Sequence, residues 1–525
     1  FIYEPLLLHQ FDYNGPSTAV ADCNGDGLDD IFIGGSRGNS GQLLFQQNDG
    51  TFIAKPLAEQ PIYEDGGALF FDADTDGDVD LYIVSGGSAV KYFDKGHYQD
   101  RLYLNDGKGN FKYNPDALPP ILASGSCAVA TDFDGDGDLD LFVGGRVTPG
   151  SFPIAPKSYL LRNDAGTFTD VTLQWAPELS EIGMVTSAIF SDVDNDAEMD
   201  LLVVGEFMSI TLFKKKDGKL IKTAISPSID SAKGWWNSIV GGDFDNDGDT
   251  DYVVGNLGNN HAYKVTKEKP LRIYANDFDS NGRVDAIATR FIRNKEVSIA
   301  PRNLLATQLN SVKGVFRSYK EFAESSTQDL LRVLDTTSMQ ILEANEFASM
   351  YLENTGDGKL EPIQLPLVAQ FSVVQGLQVA DVNFDGNLDL LAVGNLYHTE
   401  VISGYIDGGN GLVLLGDGKG GFRELPYRES GFYVPGDTKS LVQYQNSDQQ
   451  PRFVVTVNNG GTKGFKYQNA KIDSIISWPK GTTKAALELQ NGKIRKVERY
   501  WGSGYLSQPA QYILKPDAIR TVEFK

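Results

Sequence analysis

Basic residues are scarce relative to acidic ones: 47 Lys and Arg stand against 70 Asp and Glu, a formal net charge of −23. No basic stripe offsets that excess, which argues against a phosphate backbone as partner. Cysteine is nearly absent. Cys23 and Cys127 lie in no CxxC pair, so there is neither a disulfide framework nor a zinc or redox motif, and two inert thiols are preferred over a single bridge. Of the 4 histidines, His9, His97 and His261 share no metal-ligand spacing. HExxH does not occur, and no apolar run reaches the roughly 18 residues that a membrane-spanning helix needs. The opening "FIYEPLLLHQ" has no charged n-region, cleavage site or initiator Met, so a targeting segment is expected to be missing from this chain. What is present is 525 residues, 41% hydrophobic and 22% charged, enough to bury more than one ordinary core.

The acidic excess is organised. A nine-residue pattern recurs as "DCNGDGLDD" from Asp22, "DADTDGDVD" from Asp72, "DFDGDGDLD" from Asp132 and "DVDNDAEMD" from Asp192. It returns as "DFDNDGDTD" from Asp243, "DFDSNGRVD" from Asp277 and "DVNFDGNLD" from Asp381. Each copy follows a short apolar run and enters another, then meets a third strand ending in an Asn-Asp-Gly type turn, as in "RLYLNDGKGNF". The first spacings are 50, 60, 60 and 51 residues, which with four short antiparallel strands per unit predicts an all-β propeller. The Asp277 copy follows Asp243 by only 34 residues, so residues 264–345 read as an insertion in the fifth blade, an acidic hairpin followed by a helical stretch. The expected ring has seven blades over residues 1–470, the last worn unit being completed by "FIYEPLLLH" as a fourth strand that leaves no open edge. If the Asp277 copy is a blade of its own, there are eight. Residues 471–525 leave the pattern as a small β module.

Hard cations such as calcium take six to eight oxygens. Positions 1, 3, 5 and 9 of each loop supply them: Asp22, Asn24, Asp26 and Asp30; Asp72, Asp74, Asp76 and Asp80; Asp132, Asp134, Asp136 and Asp140; Asp192, Asp194, Asp196 and Asp200. The remaining sets are Asp243, Asp245, Asp247 and Asp251; Asp277, Asp279, Asn281 and Asp285; and Asp381, Asn383, Asp385 and Asp389. The carbonyl of position 7 joins them, and Gly at position 6 permits the turn. An EF-hand needs Glu at position 12, where Ile83 and Val143 are strand interior instead, and nonapeptide solenoids repeat every nine residues. Empty loops repel themselves, so up to seven structural calcium ions are expected, offsetting about 14 of the 23 negative charges. The weakest loops are the fourth, with Ala197 in place of Gly, and the one carrying Asn281 and Arg283.

These loops resemble the FG-GAP or VCBS repeats of integrin-α-like propellers, and "SGYLSQ" at 503–508 resembles the ASPIC/UnbV module that follows such repeats. With "GGRVTPGSFP", "GWWNS", "GNLGNN" and "RESGFYVPGD", nearly the whole chain is similar to VCBS-repeat surface lipoproteins of Bacteroidota. The resemblance implies an extracellular or outer-membrane-exposed protein, a lipid anchor outside this chain and proximity to SusC/SusD-like nutrient importers. There is no lipobox cysteine, and the UnbV-like piece looks cut short.

Loops joining strands one to two share one face of a propeller with those joining three to four; the other connections share the opposite face, where function gathers. Contacts expected on that face are Arg37, Arg146, Glu206, Trp235, Trp236, Asn237, Asn256, Asn395, Tyr397, His398 and Glu400. Each has a duller reading: the tryptophans as wedges between blades, Arg146 as a bridge, His398 and Glu400 as a solvated loop and not an acid–base pair. The expected function is non-enzymatic surface binding or scaffolding, toward another protein or a glycan. The alternative is a calcium-dependent polysaccharide lyase or hydrolase, or a lectin-like propeller.

Overall fold

Each acidic nonapeptide is flanked by two apolar segments, and in the computed structural model, which describes residues 4–57, 62–88, 95–356, 358–468 and 472–525, both become neighbours in an antiparallel pair. Phe71 faces Asp80, Thr131 faces Asp140 and Ser191 faces Asp200, so the loop's ninth residue opens the second strand in register with the last residue of the first. Apolar residues on both faces of these strands are buried between neighbouring sheets, which is why the runs are continuous and do not alternate.

The first sheet comprises Thr18–Ala21, Asp30–Ile33, Gln42–Gln46 and Phe52–Pro56. The next begin with Asp65–Phe71, Ser124–Thr131, Met184–Ser191, Ser238–Gly242, Gly376–Ala380 and Thr438–Gln445. These first strands touch in cyclic order, Thr438–Gln445 returning to Thr18–Ala21, so the sheets are the blades of a propeller. Its core is divided into layers between blades: Val129, Phe142, Val185 and Phe190 fill one, Ile189, Val204, Trp236 and Tyr252 another. The layer at the closing seam, Val20, Ile31, Val442, Tyr444 and Val454, is among the smallest. Cys23 and Cys127 are free and buried in different layers.

The insertion enters between the second and third strands of the fifth blade, whose Asp251–Gly255 and Met350–Asn354 pair directly across it. It folds as a four-stranded sheet, ordered Lys295–Ser298, Asp285–Ile292, Leu271–Asn276, Gln340–Ala344, with short helices such as Tyr319–Glu324 and Thr327–Leu331. Capping boxes at Ser318/Glu321 and Ser326/Asp329 start those two helices.

The ring is not closed as expected. Among the described residues the last blade has three strands, Thr438–Gln445, Pro451–Val457 and Lys463–Lys466, and residues 4–9 are not its fourth. Phe1–Tyr3 lie outside the described residues; beyond them Leu6, Leu7, Leu8 and His9 are buried in succession, whereas an outer strand exposes one side, as Phe52–Pro56 does. The segment crosses the face opposite the acidic loops, where the His398 carbonyl accepts from Gln10 N–H (2.9 Å) and the Leu8 carbonyl from Glu400 N–H (2.9 Å).

The C-terminal residues form one pair, Ile472–Ser477 with Tyr512–Pro516, and one sheet in which Lys484–Leu489 lies between Ile494–Glu498 and Ile519–Phe524. Between them, residues 501–510 run through the bore. Ala130 N–H donates to Trp501 O (2.9 Å), Gly504 N–H to Ile239 O (2.8 Å), Thr18 N–H to Leu506 O (3.0 Å) and Ala510 N–H to Gln443 O (2.9 Å). Ser507–Gln508 adds a short parallel strand to Thr18–Ala21, and Gln508 binds both backbone groups of Phe70. First strands would otherwise present bare backbone edges to the bore, and this segment satisfies them one blade at a time. It meets the N-terminal segment where Tyr505 Oη donates to Asn14 O (3.2 Å).

Candidate metal-binding loops and the opposite face

Two backbone positions shape every acidic loop. Positions 4 and 6 both have positive φ: 64° and 100° at Thr75 and Gly77, 80° and 101° at Gly135 and Gly137, 59° and 98° at Asn246 and Gly248. Sequence reading assigned the turn to position 6 alone. In the fourth loop Ala197 takes φ 75° without the freedom of glycine, a strained conformation for a residue with a Cβ. The double reversal turns amide groups inward onto the first carboxylate: Asp132 accepts from Gly135 N–H (2.8 Å) and Gly137 N–H (3.2 Å), and Asp22 from Gly25, Asp26 and Gly27.

The ninth residue is a buried staple. Asp80 accepts from Ala73 N–H (2.9 Å) in its own loop and from Asn105 N–H (2.8 Å) on the third strand. Asp30, Asp140, Asp251 and Asp389 repeat the arrangement. Burial raises these carboxyls against the pull of their amide donors: Asp30, Asp80, Asp140, Asp200 and Asp389 to about 7, Asp251 to about 8 and Asp285 to about 6.

The donor set fits a hard cation. Carboxylate oxygens of Asp72, Asp74 and Asp80, of Asp132, Asp134 and Asp136, and of Asp192, Asp194 and Asp196 lie within 4.8 Å of one another, as do those of Asp243, Asp245 and Asp251 and of Asp277, Asp279 and Asp285. Among the described residues, buried oxygens of Asp72, Asp192, Asp200, Asp245 and Asp285 have no hydrogen-bond donor. A buried anionic oxygen without a donor is costly unless a cation satisfies it, and all-oxygen sets suit calcium or magnesium over zinc or copper. The loops at Asp22 and Asp381, each with Asn at position 3, form no such acidic trio among the described residues.

A test of these staples follows from their direction of shift. A carboxyl raised from about 3.9 in the unfolded chain to about 7 in the folded one stabilises the fold below the lower value and loses that contribution as pH rises through the upper. In chelator, the melting temperature is therefore expected to rise as pH is lowered from about 8 to about 5; in calcium, where the ion replaces the proton, the slope flattens or reverses. A chelated protein that melts higher at pH 8 contradicts this account.

The C-terminal sheet rests on three of these loops through cations that sequence reading missed. Lys484 pairs with Asp192, Lys496 Nζ donates to Asp192 O (2.8 Å), and Lys496 N–H reaches Asp243 (2.8 Å). Arg495 donates to Asn246 (2.8 Å) and to the Gly386 carbonyl, and Lys493 to Asp245 O (2.8 Å). In the fourth loop Lys214 also pairs with Asp194 (2.8 Å), so here ammonium groups sit on the ligand carboxylates themselves. The visible signal was local: "NGKIRKVER" concentrates basic residues in an otherwise acidic chain.

On the opposite face most of the expected contact residues are buried. Arg146 and His9 bracket the Glu206 carboxylate, His9 Nε2 at 2.9 Å, and although burial raises it, Arg146 and His9 hold it down at about 2. Trp235 packs on His9 and Phe207, while Trp236 donates to Met208 O (3.0 Å) inside the layer between the fourth and fifth blades, as a wedge. Asn237 donates to Trp235 O (3.0 Å); Asn256 accepts from Trp235 N–H and donates to Ala348 O; Asn395 accepts from Ser372 and Gly409. Glu400 turns inward to Ile402 and Ser403 amides, and His398 stacks on Tyr13 at 3.5 Å, so the two form no acid–base pair. These side chains hold connections in place, Arg146, Glu206 and Trp235 against His9 and Phe11 of the N-terminal segment and the others within and between blades, which corrects the expectation of direct contact. Arg37 is exposed, Tyr397 and His398 half-exposed. Beside them the loop adds Tyr405, 69% exposed and stacked on Tyr397 at 5.2 Å, and Val401, 93% exposed.

Residues 22–83, 72–143 and 192–254 match the FG-GAP-like repeat, so the chain carries such repeats within its β-propeller. No curated protein sequence matches it. Among solved structures it is similar to the Vibrio cholerae biofilm matrix protein Bap1 (12% identity, 87% of this chain and 77% of that one, TM-score 0.36). It is also similar to the BP39L lectin from Burkholderia pseudomallei (10%, 86% and 98%, TM-score 0.39) and to the rhamnogalacturonan lyase YesW (10%, 97% and 92%, TM-score 0.30). At such scores none of the three carries a functional argument.

Proposed function

We propose that this protein is a non-enzymatic, calcium-stabilised binding or scaffold propeller at the outer surface of a Gram-negative, Bacteroidota-like cell, an accessory to a nutrient-import or other surface complex. Buried carboxylate oxygens that lack donors, recurring from blade to blade, carry the reading: they call for ions that stiffen the frame and leave the rim loops free to vary. Calcium is the cation extracellular fluid supplies. The ions would be held by the sets at Asp72, Asp132, Asp192, Asp243 and Asp277, and by the Asn-containing loops at Asp22 and Asp381.

With chain segments filling the bore, a partner engages the rim, where Tyr397, Tyr405 and Val401 offer aromatic and apolar surface near His398, and Arg37 is exposed on a loop of the first blade. The expected partner is a surface protein such as a SusC/SusD-like importer, or a glycan. Polysaccharide arrays and crosslinking on intact outer membranes test this. Saturable binding without product, weakened about 10-fold by Tyr397→Ala with Tyr405→Ala, is the expected result, stacked aromatics being worth about 1 kcal/mol or more each. Polysaccharide turnover would instead establish the lyase or hydrolase reading.

A further inference from the structure

One amide side chain recurs at the seams between blades. Asn105 N–H donates to Asp80 Oδ1 (2.8 Å), the ninth-position carboxylate of its own blade's loop, while Asn105 Nδ2 donates to the Cys23 carbonyl (2.8 Å), the second residue of the preceding blade's loop. Asn163 joins Asp140 to the Ala73 carbonyl with the same two distances, 2.8 and 2.8 Å. Asn354 joins Asp251 to the Val193 carbonyl, again at 2.8 and 2.8 Å. At the closing seam, where the preceding blade has no acidic loop, the longer Gln46 takes the place, its N–H on Asp30 (2.9 Å) and its Nε2 on the Gln445 carbonyl (3.0 Å).

The residue at position two is itself tied to its loop, since Cys23 N–H donates to Asp30 (3.1 Å) and Ala73 N–H to Asp80 (2.9 Å). In the loops at Asp22 and Asp72 the peptide between positions one and three, both on the cation side, is therefore held by its own ninth carboxylate through N–H and by the next blade's amide through its carbonyl, whereas in the loop at Asp192 the amide alone holds it, through the Val193 carbonyl. We infer that Asn105, Asn163 and Asn354 are positioning residues that couple cation binding in neighbouring loops: 72–80 to 22–30, 132–140 to 72–80, and 243–251 to 192–200. The inference rests on the reading that these loops bind divalent cations. An ion that fixes one loop's ninth carboxylate fixes the amide it anchors, and that amide presets the neighbouring loop's turn, so the second ion orders less backbone on binding.

The coupling is reciprocal within each joined pair and is broken at two seams: the sixth blade has Gly416 at the equivalent position, its N–H on Asp389 (2.9 Å), with no side chain to reach the 243–251 loop. The fourth blade has Lys215 at the equivalent position; its N–H binds Asp200 (2.8 Å), but its side chain goes to Glu198 and lies over the Phe133 ring, and no amide reaches the 132–140 loop. Disabling the 132–140 loop with Asp132→Ala and Asp134→Ala should raise the calcium midpoint of the 72–80 loop about 5-fold or more and leave that of the 192–200 loop unchanged. Hydrogen exchange of each loop's amides across a calcium titration of the full chain reads both midpoints at once. Asn163→Ala should make the 72–80 midpoint indifferent to the disabled neighbour, and Asn163→Gln, which copies the amide found at Gln46, should restore part of the dependence.

Equal shifts in both neighbouring loops, or none in either, overturn the coupling while leaving calcium binding intact. Persistence of the shift in Asn163→Ala does the same. If Asn163→Ala does not fold, the comparison of the two neighbours in the loop-disabled chain decides alone. Absence of calcium-dependent protection in every loop of the unaltered protein overturns both the coupling and the reading on which it stands.

Discussion

Removing divalent cations is expected to lower the melting temperature by on the order of 10 °C, and calcium to restore it. Each filled site contributes RT ln(1 + [Ca]/Kd), about 2.7 kcal/mol at a hundredfold excess over Kd, and five loops bring acidic trios within coordinating reach. Even if the fourth loop, with Lys214 and Lys484 on its carboxylates, takes no ion, the remaining four sum to roughly 10 kcal/mol. That is comparable with the whole net stability of a typical domain, about 5–15 kcal/mol. The stripped loops also bring back mutual repulsion, since Asp78 beside Asp72, Asp74 and Asp76 is raised to about 6 by burial and by those neighbours. Calorimetry in chelator and in calcium, with metal analysis of the native protein, checks it. An unchanged melt together with no bound alkaline-earth ion refutes the calcium reading.

Gln508→Ala destabilises the propeller by about 2–5 kcal/mol and gives one of the largest losses from a single substitution. Its side chain accepts from Phe70 N–H (2.6 Å) and donates to Phe70 O (2.8 Å), both buried; truncation strands two backbone groups at a dry edge. Gly502→Val acts nearby by another route. Its φ is +85°, and an added Cβ would lie 2.6 Å from the Ala128 carbonyl, a backbone atom of the third blade that cannot step aside. Removing residues 501–525 altogether uncovers the backbone edges of several blades and is expected to abolish the cooperative transition. Denaturant melts followed by intrinsic fluorescence separate these cases; a wild-type midpoint for Gln508→Ala contradicts the bonding described. The same midpoint shift with and without calcium is expected, because Gln508 touches no acidic loop.

The acidic loops, the strands around them and the insertion at 264–345 were legible because their chemistry is local: a turn, a carboxylate order and an apolar run each lie within a dozen residues. The bore-filling segment was not. "YWGSGYLSQPA" changes partner every two or three residues, through backbone bonds to strands tens to hundreds of positions away, and leaves no period to read. For the same reason Arg146, Glu206 and Asn395 looked like contact residues: a polar side chain near a strand end is exposed unless something crosses it. The covering was signalled by the apolar run at Leu6–Leu8, which the closing-strand expectation assigned elsewhere. Asn105, Asn163 and Asn354 read only as parts of hairpin turns, because the carbonyl that each binds belongs to another repeat.

The meeting of Tyr505 with Asn14 has a consequence for biogenesis. Early blades can pair internally as soon as they are synthesised, since each of the first four is built on four consecutive strands. Their inward edges, however, stay uncapped until residues 501–510 arrive. Completion of the ring thus waits on a segment that follows every blade in sequence: it is high in contact order, and until it docks the half-made intermediates can pair edge to edge with one another.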